Sequence, residues 1–283
     1  MQVFRLLAGL LLAIPVFAQS SLSGANWSSN NAGSSGTAHF APRPLFAAPV
    51  TGAPYSAQRV TEHVQTIADG TRFTTNSQQE TIYRDSQGRT RTERRLAPGP
   101  NGADSPLFVE ISDPVANVGY VLDIQKKVAH RFTYPAAPAR PAAMAAVPAG
   151  GGSIVRSGSF SGSIAPLPAP AARPHGETAQ VDLGTQMVEG VLAKGQRFVH
   201  TWPVGSQGND RPFQTTSENW MSPELKLDVL NLTVDPRTGE NSMKLLNISR
   251  AEPSSMLFLP PTDYTVVDET GPFDLHWTGG PRQ

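Results

Sequence analysis

The chain has 283 residues, 23 basic and 23 acidic side chains, and no cysteine. Because the net charge is zero, composition excludes a chain-wide electrostatic footprint for nucleic acid or an anionic membrane. The lack of cysteine excludes disulfides, thiol catalysis and cysteine-ligated metal sites. Stability must therefore come from an ordinary hydrophobic core.

The first residues are typical of a cleavable secretory signal. Arg5 precedes an apolar run from Leu6 to Val16, and a small residue, Ala18, follows. This is the charged, apolar and small-residue order of a signal peptide, and the run is shorter than the roughly 20 residues of a membrane span. We expect cleavage near Ala18, with residues 1–18 removed, and an exported protein, periplasmic or secreted, with no membrane span.

Three low-complexity segments separate the rest of the chain. They are rich in Ser, Gly, Ala and Pro and poor in charge. Segments of this kind bury too little apolar surface to offset the entropy of ordering them. We predict a flexible leader over 19–54, a disordered Pro/Ala/Gly-rich insertion over 135–175 and a flexible tail over 270–283.

The segment 55–134 is a first block of β-strands. Val60 and Val64 alternate with polar residues, and Asp69-Gly70 is a strong hairpin signal because Gly accepts a positive φ. Short turns join the strands in sequence, which is typical of an antiparallel meander. The predicted strands are 57–68, 71–83, 89–96, 107–111, 118–122 and 128–134.

The segment 176–269 is a second β block. Lys194-Gly195 and 235–239 are its predicted turns, and 227–234 is apolar on both faces near its end, which indicates a central strand. Only 253–258 has the pattern of a helical turn. The predicted strands are 181–193, 197–202, 213–220, 225–234 and 242–248.

The two blocks together predict a mainly β fold. Neither block contains a helix that would cover its sheet, so one continuous, strongly curved antiparallel sheet is simpler than two separate domains, which remain an alternative. The expected architecture is a half-barrel of about eleven strands.

No motif for catalysis, a cofactor or a metal occurs in the sequence. No two histidines have the spacing of metal ligands, and Gly158-Ser-Phe-Ser-Gly162 has Phe160 where a nucleophile would stand. We therefore predict no enzyme activity, no catalytic residue, no cofactor and no metal. An acid–base pair from distant strands would leave no local motif and is the alternative.

Two groups of residues are candidate binding sites. Arginines in alternation on one strand would form a cationic stripe for an anionic headgroup or polyanion, or else a solvated face neutralised by nearby carboxylates. Large apolar side chains would line a pocket in the concavity of the sheet, or else pack in the core. The first group is Arg84, Arg89, Arg91 and Arg95; the second is Phe73, Tyr83, Met187, Trp202 and Trp220.

Several motifs carry a resemblance. The first block contains Tyr83-Arg-Asp-Ser-Gln-Gly-Arg-Thr-Arg91. The second block contains, in this order, Leu183 to Gly195, Trp220-Met-Ser-Pro-Glu-Leu225 and Pro236-Arg-Thr-Gly239. In these motifs the chain resembles an uncharacterised family of secreted bacterial β-rich proteins. The order of elements is also similar to the LolA/LolB/RseB-like superfamily of periplasmic lipoprotein carriers and sensors. That resemblance implies an eleven-stranded half-barrel that cups acyl chains, although no lid helix is evident here.

These observations predict a non-enzymatic exported protein. Its ligand would be a lipid, a lipoprotein or another apolar molecule held in the concavity of the sheet. The alternative is an interaction or sensor module of the cell envelope that binds another protein and no small molecule. Neither reading includes a nucleic-acid partner.

Overall fold

The computed structural model describes residues 26–29, 35–45, 48–95, 107–136 and 176–278. The predicted signal over 1–18 and nearly all of the predicted insertion over 135–175 lie outside the described residues. Within the described ranges, no helix has the length and apolar character needed to cross a membrane.

The described residues form fifteen strands and one short 3-10 helix, so the prediction of a mainly β protein is confirmed. The first eight strands are β1 Asn26–Ser29, β2 Ser35–Phe40, β3 Tyr55–Thr66, β4 Arg72–Arg84, β5 Thr90–Arg95, β6 Leu107–Asp113, β7 Val118–Asp123 and β8 Val128–Thr133. The others are β9 Glu177–Val188, β10 Val191–Trp202, β11 Phe213–Ser222, β12 Leu227–Asp235, β13 Gly239–Ser249, β14 Thr265–Glu269 and β15 Phe273–Thr278. The 3-10 helix is Ser255–Phe258.

Twelve strands form one sheet in the order β14-β8-β7-β6-β5-β4-β3-β13-β12-β11-β10-β9. The two predicted blocks meet where β3 pairs with β13, antiparallel. All neighbours in this sheet are antiparallel except β14, which runs parallel to β8. The sheet has one strand more than predicted because β14, unrecognised in the sequence, adds to the edge beside β8.

Side chains from distant strands share one core, which shows that the sheet is strongly curved. Ala57 and Ile82 belong to the same buried cluster as Val191 and Ala193. Three strands, β13, β12 and β11, stand between β3 and β10 in the sheet. A flat sheet would hold these residues far apart, since neighbouring strands lie ~4.8 Å from one another. The predicted half-barrel is therefore confirmed.

The turn between β9 and β10 lies at Glu189-Gly190, five residues before the predicted turn at Lys194-Gly195. Glu189 and Gly190 have φ values of 47° and 79°, and a two-residue hairpin turn of type I′ requires positive φ at both positions. Gly195 lies inside β10. It serves packing there, because a Cβ at this position would come within 2.5 Å of the Trp220 ring.

The predictions of a flexible leader and a flexible tail are wrong for the described parts of both segments. β2 pairs with β1 on one side and with β15 on the other in a separate three-stranded sheet. Ala38 and Phe40 on β2 and Phe273 and Leu275 on β15 are buried in one cluster with Phe108 of the large sheet. Short alternations of apolar and polar residues thus supply a packing face that the composition of these segments conceals.

A third cluster lies under the 3-10 helix, in agreement with the helical turn predicted over 253–258. Phe258 is fully buried against Val109, Ile111 and Leu122 of the large sheet. Ser254 caps the helix by accepting a hydrogen bond from the Met256 backbone N–H. The strands β6 and β7 therefore have one face covered by the 3-10 helix and the other by the three-stranded sheet.

Candidate functional site

One face of the large sheet carries a row of directly paired residues from β9 to β13. The cross-strand partners are Val181, Arg197, Glu218, Leu232 and Ser242, in that order. Directly opposed residues of neighbouring strands point to the same face. The adjacent row on the same face consists of Ala179, Val199, Thr216, Val234 and Glu240. We call the two rows together the β9–β13 face.

The β9–β13 face lies on the inner, concave side of the curved sheet. Along β10 it continues to Ala193 and Val191, which belong to the buried cluster that unites distant strands. Arg197, Glu218 and Leu232 in the middle of the face are half-buried. The face is therefore concave and partly open to solvent.

Four apolar side chains on this face do not belong to the buried core. Val181 and Val234 are 45% and 38% exposed, and Val199 and Leu232 are half-buried. None of the four belongs to the three buried clusters of the described residues. Apolar groups gathered on a concave surface and left open to solvent are a typical feature of ligand-binding sites.

An ion pair stands among these apolar groups. The Nε–H of Arg197 donates to Oε1 of Glu218 at 2.7 Å. Val181 flanks Arg197 on β9, and Leu232 flanks Glu218 on β12. The Glu218 side chain is only 20% exposed, whereas that of Arg197 is 43% exposed. The face thus presents both signs of charge between apolar neighbours.

The rest of the face is polar towards β3 and closed towards the core. Glu240 pairs with Arg72 at 3.5 Å, and Glu62 is the cross-strand partner of Ser242. In the opposite direction Trp220 follows Glu218 on the same side of β11 and packs over Gly195. Trp220 is 7% exposed and belongs to the core cluster of the curved region, so it forms the floor of the face.

The structure does not bring the five predicted apolar residues together. Trp220 lies at the β9–β13 face, whereas Trp202 and Met187 lie on the opposite face of the same strands, by the alternation along β10. Tyr83 packs against the cluster under the 3-10 helix. Phe73 is 49% exposed near the β3–β4 hairpin. The five residues therefore do not line one shared pocket, and a ligand role for each of them remains a prediction.

Arg84 departs from the predicted cationic stripe because it is buried. Its Nε–H donates to the Ala53 carbonyl at 2.9 Å, its other branch donates to the Leu225 carbonyl, and its guanidinium lies 4.7 Å from the centre of the Tyr55 ring. Burial lowers the pKa of this guanidinium from its usual range. The reason is alternation, which points residue 84 to the core face and residue 83 to the other. Arg84 therefore connects the backbone at Ala53 and Leu225 to the core, and its buried guanidinium is not accessible to a ligand at the surface.

Arg89 and Arg91 of the predicted stripe have carboxylate or carbonyl partners. Arg89 donates to Asp85 at 2.6 Å and lies over the Phe258 ring. Arg91 donates to Glu93 at 2.6 Å and to the Leu257 carbonyl at 3.0 Å. These contacts favour the neutralised face that the sequence left open as the alternative. An anion-binding role for Arg89, Arg91 and Arg95 remains a prediction.

Histidines in the described ranges make isolated contacts. His130 pairs with Glu269 at 2.7 Å and stacks on Phe273, and the Nδ1 of His200 lies 2.7 Å from the Thr178 hydroxyl. No group of three or more metal-ligating side chains occurs in the part of the chain that the structure describes.

Sequence reasoning missed Arg197, Glu218 and Leu232 as site residues. The relevant sequence signal is the segment 227–234, apolar on both faces near its end, which predicts a central strand. β12 is indeed an interior strand, between β11 and β13. Which residues stand opposite one another depends on register, and a bulge shifts the β11–β12 register between Trp220 and Met221.

The strand β9 is exposed along its whole length at one edge of the sheet. It pairs with β10 and, among the described residues, has no neighbour on its other side. Only Leu183 and Val188 are half-buried; the other ten residues are exposed. An edge of this kind presents unpaired backbone groups to an extended partner.

Comparison with solved structures finds distant likenesses. MucB of Pseudomonas aeruginosa, in its complex with MucA, gives a TM-score of 0.36 at 12% identity, over 76% of this chain and 58% of that chain. MucB alone gives 0.35 at 11% identity, over 76% and 60%. A DUF1329 family protein from Desulfovibrio piger gives 0.17 at 12% identity, over 73% and 90%.

The chain is thus distantly similar to these proteins, and it spans less than two thirds of the length of the MucB chains. No protein-family model matches the chain, and no curated protein does.

Proposed function

We propose that this chain is an exported, non-enzymatic binding protein that holds a lipid, a lipoprotein or another apolar ligand on the concave β9–β13 face. One observation carries the proposal: Val181, Val199, Leu232 and Val234 share a concave face and lie outside every described core cluster. Covering apolar surface of this kind contributes about 25 cal/mol per Å².

The absence of chemistry at this face supports binding without catalysis. Arg197 pairs with Glu218, and Glu240 pairs with Arg72. A general acid or base must be free to reach the proton that it transfers. These salt bridges occupy the four groups.

The test is a charge placed in the apolar row. Leu232→Asp should weaken binding of a fluorescent fatty-acid probe by about tenfold or more, because burying an unpaired carboxylate under an apolar ligand is costly. Thr233→Asp is the matched control, since Thr233 is the next residue of β12 and is exposed on the opposite face. It should leave the probe affinity within about twofold, a difference of under ~0.5 kcal/mol.

The measurement is a fluorescence titration of the delipidated protein, with circular dichroism to show that both variants fold. Equal probe affinities in the two folded variants would place the ligand elsewhere. Failure of the native chain to bind any lipid probe would overturn the proposal.

A second candidate function is an envelope interaction or sensor module. The exposed edge strand β9 favours it, because such an edge can take up a strand from a partner. β9 carries Glu177 and Asp182 and no basic residue, so charge favours a basic extended segment over a second copy of this chain. Under this candidate the purified protein carries no lipid, and Leu232→Asp leaves partner binding unchanged.

A further inference from the structure

The ion pair on the β9–β13 face restricts the chemistry of a ligand. Arg197 and Glu218 stand side by side between Val181 and Leu232. A ligand that covers the apolar residues must also cover or meet the pair. The kind of headgroup it carries therefore decides the free energy of binding.

A neutral hydrocarbon would fit this face poorly. It would remove Arg197 and Glu218 from water and return no hydrogen bond, and desolvation of an ion pair commonly exceeds the attraction within it. A purely anionic headgroup would fit better at Arg197 but would draw it away from Glu218. That carboxylate, only 20% exposed, would then be left beside an anion without a partner.

A headgroup with both charges satisfies both residues. Its anionic oxygens accept charge-assisted hydrogen bonds from the guanidinium, and its ammonium donates to the carboxylate, while the chains cover Val181, Val199 and Leu232. Arg197 is the more exposed partner, with 43% of its side chain accessible, so its guanidinium can turn to the new acceptor.

We propose that the ligand of this face is an amphiphile with a zwitterionic headgroup, whose phosphate meets Arg197 and whose ammonium meets Glu218. This inference rests on the proposed function, because it concerns the same face. It assigns the headgroup class and the two residues that select it.

The experiment compares four probes with the delipidated protein by calorimetric titration. Three share the same short acyl chains: phosphatidylethanolamine, phosphatidylglycerol and diacylglycerol; the fourth is phosphoethanolamine without chains. Phosphatidylethanolamine should bind about tenfold more tightly than diacylglycerol. Phosphoethanolamine alone should show no measurable binding.

Two variants and a control assign the residues. Arg197→Gln and Glu218→Gln should each reduce the preference for phosphatidylethanolamine over diacylglycerol to about twofold. Arg250→Gln is the control, because Arg250 forms an exposed ion pair with Glu224 at 3.3 Å outside the face. It should keep the full preference.

The outcomes separate this inference from the proposed function. Equal binding of phosphatidylethanolamine and diacylglycerol, tighter binding of phosphatidylglycerol, or an unchanged preference in both variants would overturn the headgroup assignment while apolar binding stands. Binding of phosphoethanolamine as tight as that of the whole lipid would replace the amphiphile by a small zwitterion. Absence of binding for all lipid probes would overturn the proposed function as well.

Discussion

Gly195 shows how one missing side chain allows a large aromatic ring to pack on a strand. A Cβ built at this position meets three atoms of the Trp220 ring at 2.5–2.6 Å. Real Cβ atoms do not approach other carbons so closely, so any other residue here forces the indole away. Trp220 in turn separates the core cluster from the open part of the β9–β13 face.

Gly195→Ala should therefore destabilise the fold by about 1–3 kcal/mol, the usual cost of overpacking. Gly271→Ala is the control, because nothing lies within 4 Å of a Cβ at that position; its effect should stay within about 0.5 kcal/mol. Urea unfolding followed by tryptophan fluorescence measures both. Equal stabilities would show that Trp220 does not pack over Gly195.

The β4–β5 hairpin is organised by one buried carboxylate. Asp85 is 1% exposed and accepts from the Gln87 N–H at 3.0 Å, the Arg89 N–H at 2.8 Å and the Arg89 Nε–H at 2.6 Å. The adjacent Arg84 connects the hairpin to residue 53, because its Nε–H donates to the Ala53 carbonyl. The conspicuous run of charges from 83 to 91 thus builds a turn and its supports, which accounts for these residue types without a bound ligand.

Asp85→Ala should destabilise the protein by about 2–4 kcal/mol, because it leaves two backbone N–H groups and a half-buried guanidinium without their acceptor. Asp69→Ala in the β3–β4 hairpin is the matched control. Asp69 is exposed and its partner is Thr71, whose backbone N–H donates to it at 2.8 Å, so the substitution of Asp69 should have a much smaller effect. Denaturant titrations of the two variants give the comparison, and similar losses would contradict the central role of Asp85.

At the scale of elements, the sequence predicts strands well and register poorly. The eleven predicted strands overlap β3 to β13, because alternation and turn residues are local signals. The sequence predicts the β9–β10 turn at the wrong position because Lys194-Gly195 and Glu189-Gly190 are both a charged residue followed by glycine. Only the contact of Gly195 with the Trp220 ring distinguishes the two positions. The pairing of Arg197 with Glu218 depends on strand order and bulges, which no local pattern records.

At the scale of the whole molecule, two sheets hold one another in place. Phe273 of the three-stranded sheet stacks on Phe40 of the same sheet at 5.3 Å and on His130 of the large sheet at 4.9 Å. Residues near both ends of the chain therefore stabilise β6 to β8. The composition of these terminal segments concealed this role, because their packing face consists of a few alternating residues. The character of 135–175 remains a prediction.

Phe273→Ala should destabilise the protein by about 3 kcal/mol or more, the cost of truncating a buried aromatic side chain. Phe198→Ala is the control, since Phe198 is 36% exposed, and its effect should be well below that of Phe273. Thermal unfolding by circular dichroism measures both. Equal melting temperatures would mean that the three-stranded sheet does not support the large one.

The junction of β3 with β13 joins segments that lie far apart in the chain. His63 and Asn241, which hydrogen-bond across this junction, are 178 residues apart in the chain, and His39 and Asp274 of the small sheet are 235 residues apart. Contacts of such long range form slowly, because the entropy of closing a long loop is lost before the contacts stabilise it. A chain that emerges from its N-terminus first keeps the apolar face of β3 and β4 uncovered until nearly all of it has emerged. An incomplete chain therefore exposes apolar surface that the finished fold buries, and it is open to aggregation and proteolysis until β13 has paired with β3.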